Sequence, residues 1–126
     1  LTPEVTAAAV EISHHVAAWT ASSTFVKAIP AGFLIAAIVW MLPSAEGSEF
    51  WVIVLFTYII ALGDMAHVVV GSAELFLLAV TGEANIFKLV TVNLLPALLG
   101  NVLGGTGLFA MLAWGQVSDE MSEEKK

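Results

Sequence analysis

The chain is 126 residues long, 59% of them hydrophobic and 12% charged, with a net charge of -7, no arginine and no cysteine. A water-soluble domain of this size needs more polar residues to cover its outside, so the solvent around most of the chain is read as lipid. Four lysines make no basic footprint for nucleic acid, and the lack of cysteine excludes thiol redox chemistry and zinc–thiolate sites.

Residues 1–24 read as an amphipathic helix followed by a linker. Thr2 is placed to cap, Pro3 suits the first helical position, and Glu4 suits the positive end of the dipole. Val5, Ala8, Ala9, Ile12 and Val16 recur at helical spacing, with Glu11 and His15 on the other side. Such a helix lies at the bilayer interface or packs on other helices. His14 and His15 are adjacent and cannot face one partner, so they are expected at the interface and not in a metal site. The stretch TASST (20–24) loosens the helix. Leu1 is not methionine and no basic segment precedes an apolar stretch, so no signal peptide is expected.

Residues 25–115 read as a transmembrane unit of three spans. The first covers about 25–42, with Lys27 snorkelling at one end and Trp40 in the interfacial belt at the other. Pro30 falls in its first turns, where a missing donor is best tolerated. A turn-rich connector, PSAEGSE (43–49), follows.

Residues 50–81 then stay apolar for 32 positions without loop chemistry. As one helix they would reach about 48 Å, against roughly 30 Å of hydrocarbon, and no turn divides them into two full spans. The segment is therefore one discontinuous span, broken between Gly63 and Ser72. Backbone freed at membrane depth survives only against protein or a wet cavity, which marks a pore or binding site.

After the loop TGEAN (81–85), the last span covers about 86–114. Pro96 is expected to bend it, and Gly100, Gly104, Gly105 and Gly107 to admit a neighbouring helix. The acidic tail, 116–126, contains Asp119, Glu120, Glu123 and Glu124 and is expected to fray. Trp19, Trp40, Trp51 and Trp114 read as interfacial anchors. Lys27 and Lys88 on one side balance Lys125 and Lys126 on the other, so charge gives no orientation.

Asp64, His67, Gly71 and Glu74 are spaced three, four and three apart, a single polar stripe on a continuous helix. Ionisable groups inside membranes are rare and usually face a bundle interior or water. An imidazole there can give a weak-acid anion a hydrogen bond or a proton. A purely structural reading stands beside it, in which His67 bonds a freed carbonyl with Asp64 as its partner. Asp64 also fits as a helix cap after Gly63. Glu74 weighs more as a structural residue, near a membrane surface or a neighbouring subunit. Asn93 reads as interhelical glue, whereas Asn101, within GNVLGG, reads as a pore-lining donor.

Three segments together resemble the carboxy-terminal half of the formate/nitrite transporter family: GFLIAAIVWM (32–41), GDMAHVVVGS (63–72) and NLLPALLGNVLGG (93–105). The resemblance implies an all-α integral membrane protein, an aquaporin-like helical bundle with inverted halves, of which this chain carries three spans with one discontinuous helix. It also implies a homo-oligomer, a pentamer with one pore per protomer, in the cell membrane, and no cofactor. By that resemblance His67 matches the central pore histidine and Asn101 the asparagine of the last helix.

The chain departs from the pattern at Gly32, where an asparagine is usual, and at Ala66, where a glutamate precedes the histidine. Gly71 replaces a further asparagine, Ile60 a phenylalanine constriction, and Val16 lies near the position of an expected basic residue. Three spans do not enclose an inverted-repeat pore, so the chain is expected to be a fragment of a longer one.

The function expected from these features is a channel or transporter for small monovalent weak-acid anions of the formate, nitrite or hydrosulfide type. His67, Asn101, Asp64 and Ile60 are its pore residues, and Gly63, Gly71, Gly100 and Gly104 its break and packing glycines. The alternative is a non-conducting membrane scaffold that keeps the fold. No nucleophile–base pair or metal set is present to suggest an enzyme.

Overall fold

The computed structural model describes residues 2–123, with side chains as far as Ser118, and its regular elements are all helical. The first helix, α1 (Pro3–Ala17), starts where Thr2 Oγ1 accepts the N–H of Val5 at 3.4 Å, with Pro3 in the first turn. Thr20 caps the next helix, α2 (Ala21–Met41), by accepting from Ser23 N at 3.2 Å. That cap recruits residues 21–24 into the helix, although their sequence reads as a linker. Pro30 consequently lies in the helix interior and not in its first turns.

A short 3-10 turn (Leu42–Ser44) leads to α3 (Glu49–Leu62), and α4 (Val68–Val80) follows a five-residue interruption. These two helices reach about 21 and 20 Å at 1.5 Å per residue, so neither spans a bilayer alone. The chain then runs helically through α5 (Ile86–Leu89), α6 (Leu95–Val102) and α7 (Ala110–Glu123). Two π-helical segments, Val90–Leu94 and Leu103–Phe109, join them. The first π segment stands directly before Pro96, which has no N–H to return to the preceding turn. Helix continues to Glu123, through Asp119 and Glu120, where the sequence reads as a frayed tail; Glu124 and the two terminal lysines lie outside the described residues.

Two stretches are long and apolar enough to cross a membrane, Ala21–Ser44 and Ile86–Ser118. They cross each other through backbone contact. A Cβ on Gly104 would overlap the carbonyl of Ile29, and one on Gly100 would overlap that of Phe25. On the facing helix, a Cβ on Gly32 would overlap the main chain of Asn101. Gly32 is thus what allows α2 to meet α6 this closely. Gly105 completes the seam, its place for a Cβ 3.1 Å from the carbonyl of Gly32.

The second packing unit is α1 on α4, where Leu75, Leu78 and Leu89 are buried against Val10, Val16 and Leu94. One face of the amphipathic helix thus packs on other helices. Outside these contacts the surface stays apolar: Phe50, Trp51, Leu62, Phe87 and Trp114 are each more than 65% exposed. Patches of that extent belong in lipid or under another protein segment.

Candidate functional site

The interruption between α3 and α4, Gly63–His67, sits against α2 and α6 and frees main-chain groups that must find partners. On its α3 side they close locally: Gly63 N donates to Ile59 O at 2.9 Å, and Met65 N to Ile60 O at 3.1 Å. A Cβ at Gly63 would press on the flexible end of the Met65 side chain. Asp64 carries the tight turn itself, in the left-handed region at φ 50°, a conformation Asp tolerates better than most residues.

Beyond Asp64, two side chains from other helices take over. Lys27 Nζ donates to the carbonyl of Asp64 at 3.0 Å and to its Oδ2 at 2.6 Å. The main-chain carbonyl of Lys27 accepts Ala66 N at 3.2 Å. Asn101 Nδ2 donates to Ala66 O at 2.9 Å and to Ala28 O at 2.7 Å, while its Oδ1 accepts Val68 N at 2.8 Å. Both carbonyls that α2 offers here, Lys27 and Ala28, lie within the turn before Pro30.

The assignment of residues changes accordingly. Asn101 has both amide hydrogens engaged, so its side chain holds the break and offers no spare donor to a passing ion. Lys27 grips Asp64 and lies 4.6 Å from the ring centroid of Trp19. Trp19 is correspondingly a packing partner, against Lys27 and His15. His14 and His15 each face their own carboxylate, His14 with Glu83 at 3.4 Å and His15 with Asp64 at 3.2 Å.

Asp64 is thus paired with Lys27 and His15 instead of His67. Nor does the imidazole of His67 take part in any hydrogen bond among the described residues, so the freed carbonyls are satisfied without it. Gly71 stands in the first turn of α4, past the break, with open space where a Cβ would be. Asn93 bonds Val16 O and Trp19 O at 3.2 and 3.3 Å, tying α1 to the last helix.

Two cavities flank the break. One, of about 440 Å³, is lined by Thr24, Thr57, Ile60, Asp64, Glu74 and the face of α1 that carries His15. The other, of about 860 Å³, is lined by Val39, Trp40, Ser44 and Asn101, among others. They draw on opposite ends of α2 and share three residues, Ile35, His67 and Val68. Sequence reasoning located His67 but missed Lys27, His15 and Ile35. Their partners lie 37 and 49 residues away for the two charged groups, and no local spacing carries that signal.

The sequence pattern described as formate/nitrite transporter matches residues 1–115. An inner membrane protein of Escherichia coli, YfdC, is 42% identical over 107 residues, covering 85% of this chain and 34% of the relative. The chain therefore spans about a third of the length of the curated relative it matches. No solved structure matches it. With the pattern extending over nearly the whole sequence, through the break and the crossing of α2 with α6, the chain belongs to the formate/nitrite transporter family.

Proposed function

We propose that this chain forms half of a transport protomer that moves small monovalent weak-acid anions across an inner membrane, past His67. Residues 1–24 brace the unit, residues 25–115 supply three spans, and residues 116–126 form an acidic extension. An inverted second half closes the pore in an aquaporin-like bundle, and the protomers assemble as a pentamer. The cargo is of the formate, nitrite or hydrosulfide type, and the protein acts as a transporter and not as an enzyme.

One observation carries the reading. His67 is common to both cavities, which otherwise occupy opposite ends of α2, and its ring is not consumed by the bonds that hold the break. A small solute passing from one cavity to the other therefore meets an imidazole in an apolar wall made by Ile35 and Val68. An imidazole exchanges protons within the physiological range, and a low-dielectric surround strengthens its interaction with an arriving anion. Proton exchange with a weak-acid anion neutralises the cargo at the point where carrying its charge costs most.

The test is uptake of formate, nitrite and hydrosulfide into liposomes reconstituted with the protein, against empty liposomes. Saturable or size-limited entry of at least one of them supports transport. Flux equal to that of empty liposomes for all three overturns it in favour of a non-conducting scaffold, a role that the apolar Ile60 below the break would suit.

A further inference from the structure

We infer that Lys27 and Asp64 are positioning residues for His67, forming an electrostatic latch that holds the break and that α1 completes through His15. The inference rests on the reading of His67 as the group that meets the cargo.

Asp64 precedes His67 by three residues, so whatever fixes the main chain between them fixes the imidazole. Lys27 grips that stretch twice, by its ammonium on Asp64 O and Oδ2 and by its carbonyl on Ala66 N. The second carboxylate oxygen of Asp64 faces His15 Nε2 at 3.2 Å. The ring of His15 in turn stands edge-on to Trp19, at 5.6 Å between centroids, and Trp19 offers its face to the ammonium of Lys27. Three elements thus converge on one carboxylate: α1 through His15, α2 through Lys27, and the break through Asp64 itself, with Trp19, in the link between α1 and α2, packed against both partners.

A neutral side chain at position 64 would satisfy the left-handed turn, as Asn or Gly does. The carboxylate is needed for something more, and what it meets is one cation and one imidazole. Charge-assisted bonds of this kind are shorter and stronger than neutral ones, so the latch resists opening of a loop that has only Asn101 on its other side. Lys27 and Asp64 touch no reacting atom in this scheme; they act through the place they give His67.

The absence of cysteine from the chain allows a direct test. Met65, inside the break and on the wall of the smaller cavity, is replaced by cysteine in the complete protein, with any thiol outside these 126 residues replaced by serine. Its rate of modification by a small water-soluble methanethiosulfonate is measured in liposomes, alone and combined with Lys27→Met, Lys27→Arg or Asp64→Asn. Loss of the charge pairing between Lys27 and Asp64 predicts roughly tenfold faster modification with Lys27→Met, which removes both ammonium bonds, and with Asp64→Asn, which removes the anion, and near-parental rates with Lys27→Arg. Anion uptake in parallel vesicles carrying Met65 is expected to fall in the first two and recover in the third. Equal thiol rates in all variants of a protein that transports anions overturn the latch alone. A parental protein that carries no anion overturns the transport reading, and with it the positioning role. Asp64→Asn preserves the turn, so it keeps the test open where Lys27→Met fails to fold.

Discussion

The side-chain oxygen of Asn101 accepts the main-chain N–H of Val68 at 2.8 Å, so the last membrane helix holds the residue next to His67. The same amide group donates to Ala66 O on the other side of the histidine, and to Ala28 O on α2. One side chain therefore straddles His67 and anchors it to two helices. Removing it leaves a buried N–H and two carbonyls without that partner, at about 1–3 kcal/mol for each group left unsatisfied. Asn101→Ala is expected to lower the melting temperature in detergent. Asn101→Asp keeps the acceptor but sets a carboxylate oxygen against the carbonyls of Ala28 and Ala66, so it is expected to lower it further. An Asp variant as stable as the parent contradicts the clamp.

The seam between α2 and α6 predicts a sharp contrast among glycines. Gly104→Ala places a methyl group against the carbonyl of Ile29, backbone on backbone, with no flexible neighbour to give way. It is expected to cost about 1–3 kcal/mol, the range for overpacking a tight core. Gly71→Ala meets open space in a helix and is expected to be neutral or to stabilise by up to about 1 kcal/mol. Thermal unfolding of the two variants side by side reads the difference. Equal losses would remove the argument that close approach selects these glycines.

Ile60 is 8% exposed and lines the smaller cavity together with His67. Ile60→Ala widens the approach to the histidine, and Ile60→Trp fills it. Relative uptake of formate, acetate and propionate is the measurement. The alanine variant is expected to admit the larger anions better, and the tryptophan variant to reduce all three. An unchanged ratio among them would place the constriction elsewhere.

Some of this arrangement is legible in the residues and some is not, for a physical reason. An apolar stretch of 32 residues without a turn is too long for one span and too short for two with a loop, so the break follows from length alone. The close crossing at Gly100 and Gly104 follows from side-chain size. Partners across the fold leave no such local trace. Lys27 near the end of an apolar run has the pattern of a snorkelling residue, and only the folded chain brings it to Asp64, 37 positions away. Asn101 likewise reads as a free amide until the break is placed beside it. Asp64 read equally well as a cap or as a partner of His67; it is the tight turn, held by α1 and α2.

The central claim, that the cargo passes His67 and exchanges protons there, meets its most direct test in the pH dependence of anion uptake. Liposomes containing the parent protein or the His67→Phe variant are compared across roughly pH 5 to 8, the window in which an imidazole ordinarily changes charge. The account predicts that uptake by the parent varies with pH through a titration that the variant lacks. Identical profiles in the two proteins, with uptake preserved in the variant, would contradict it.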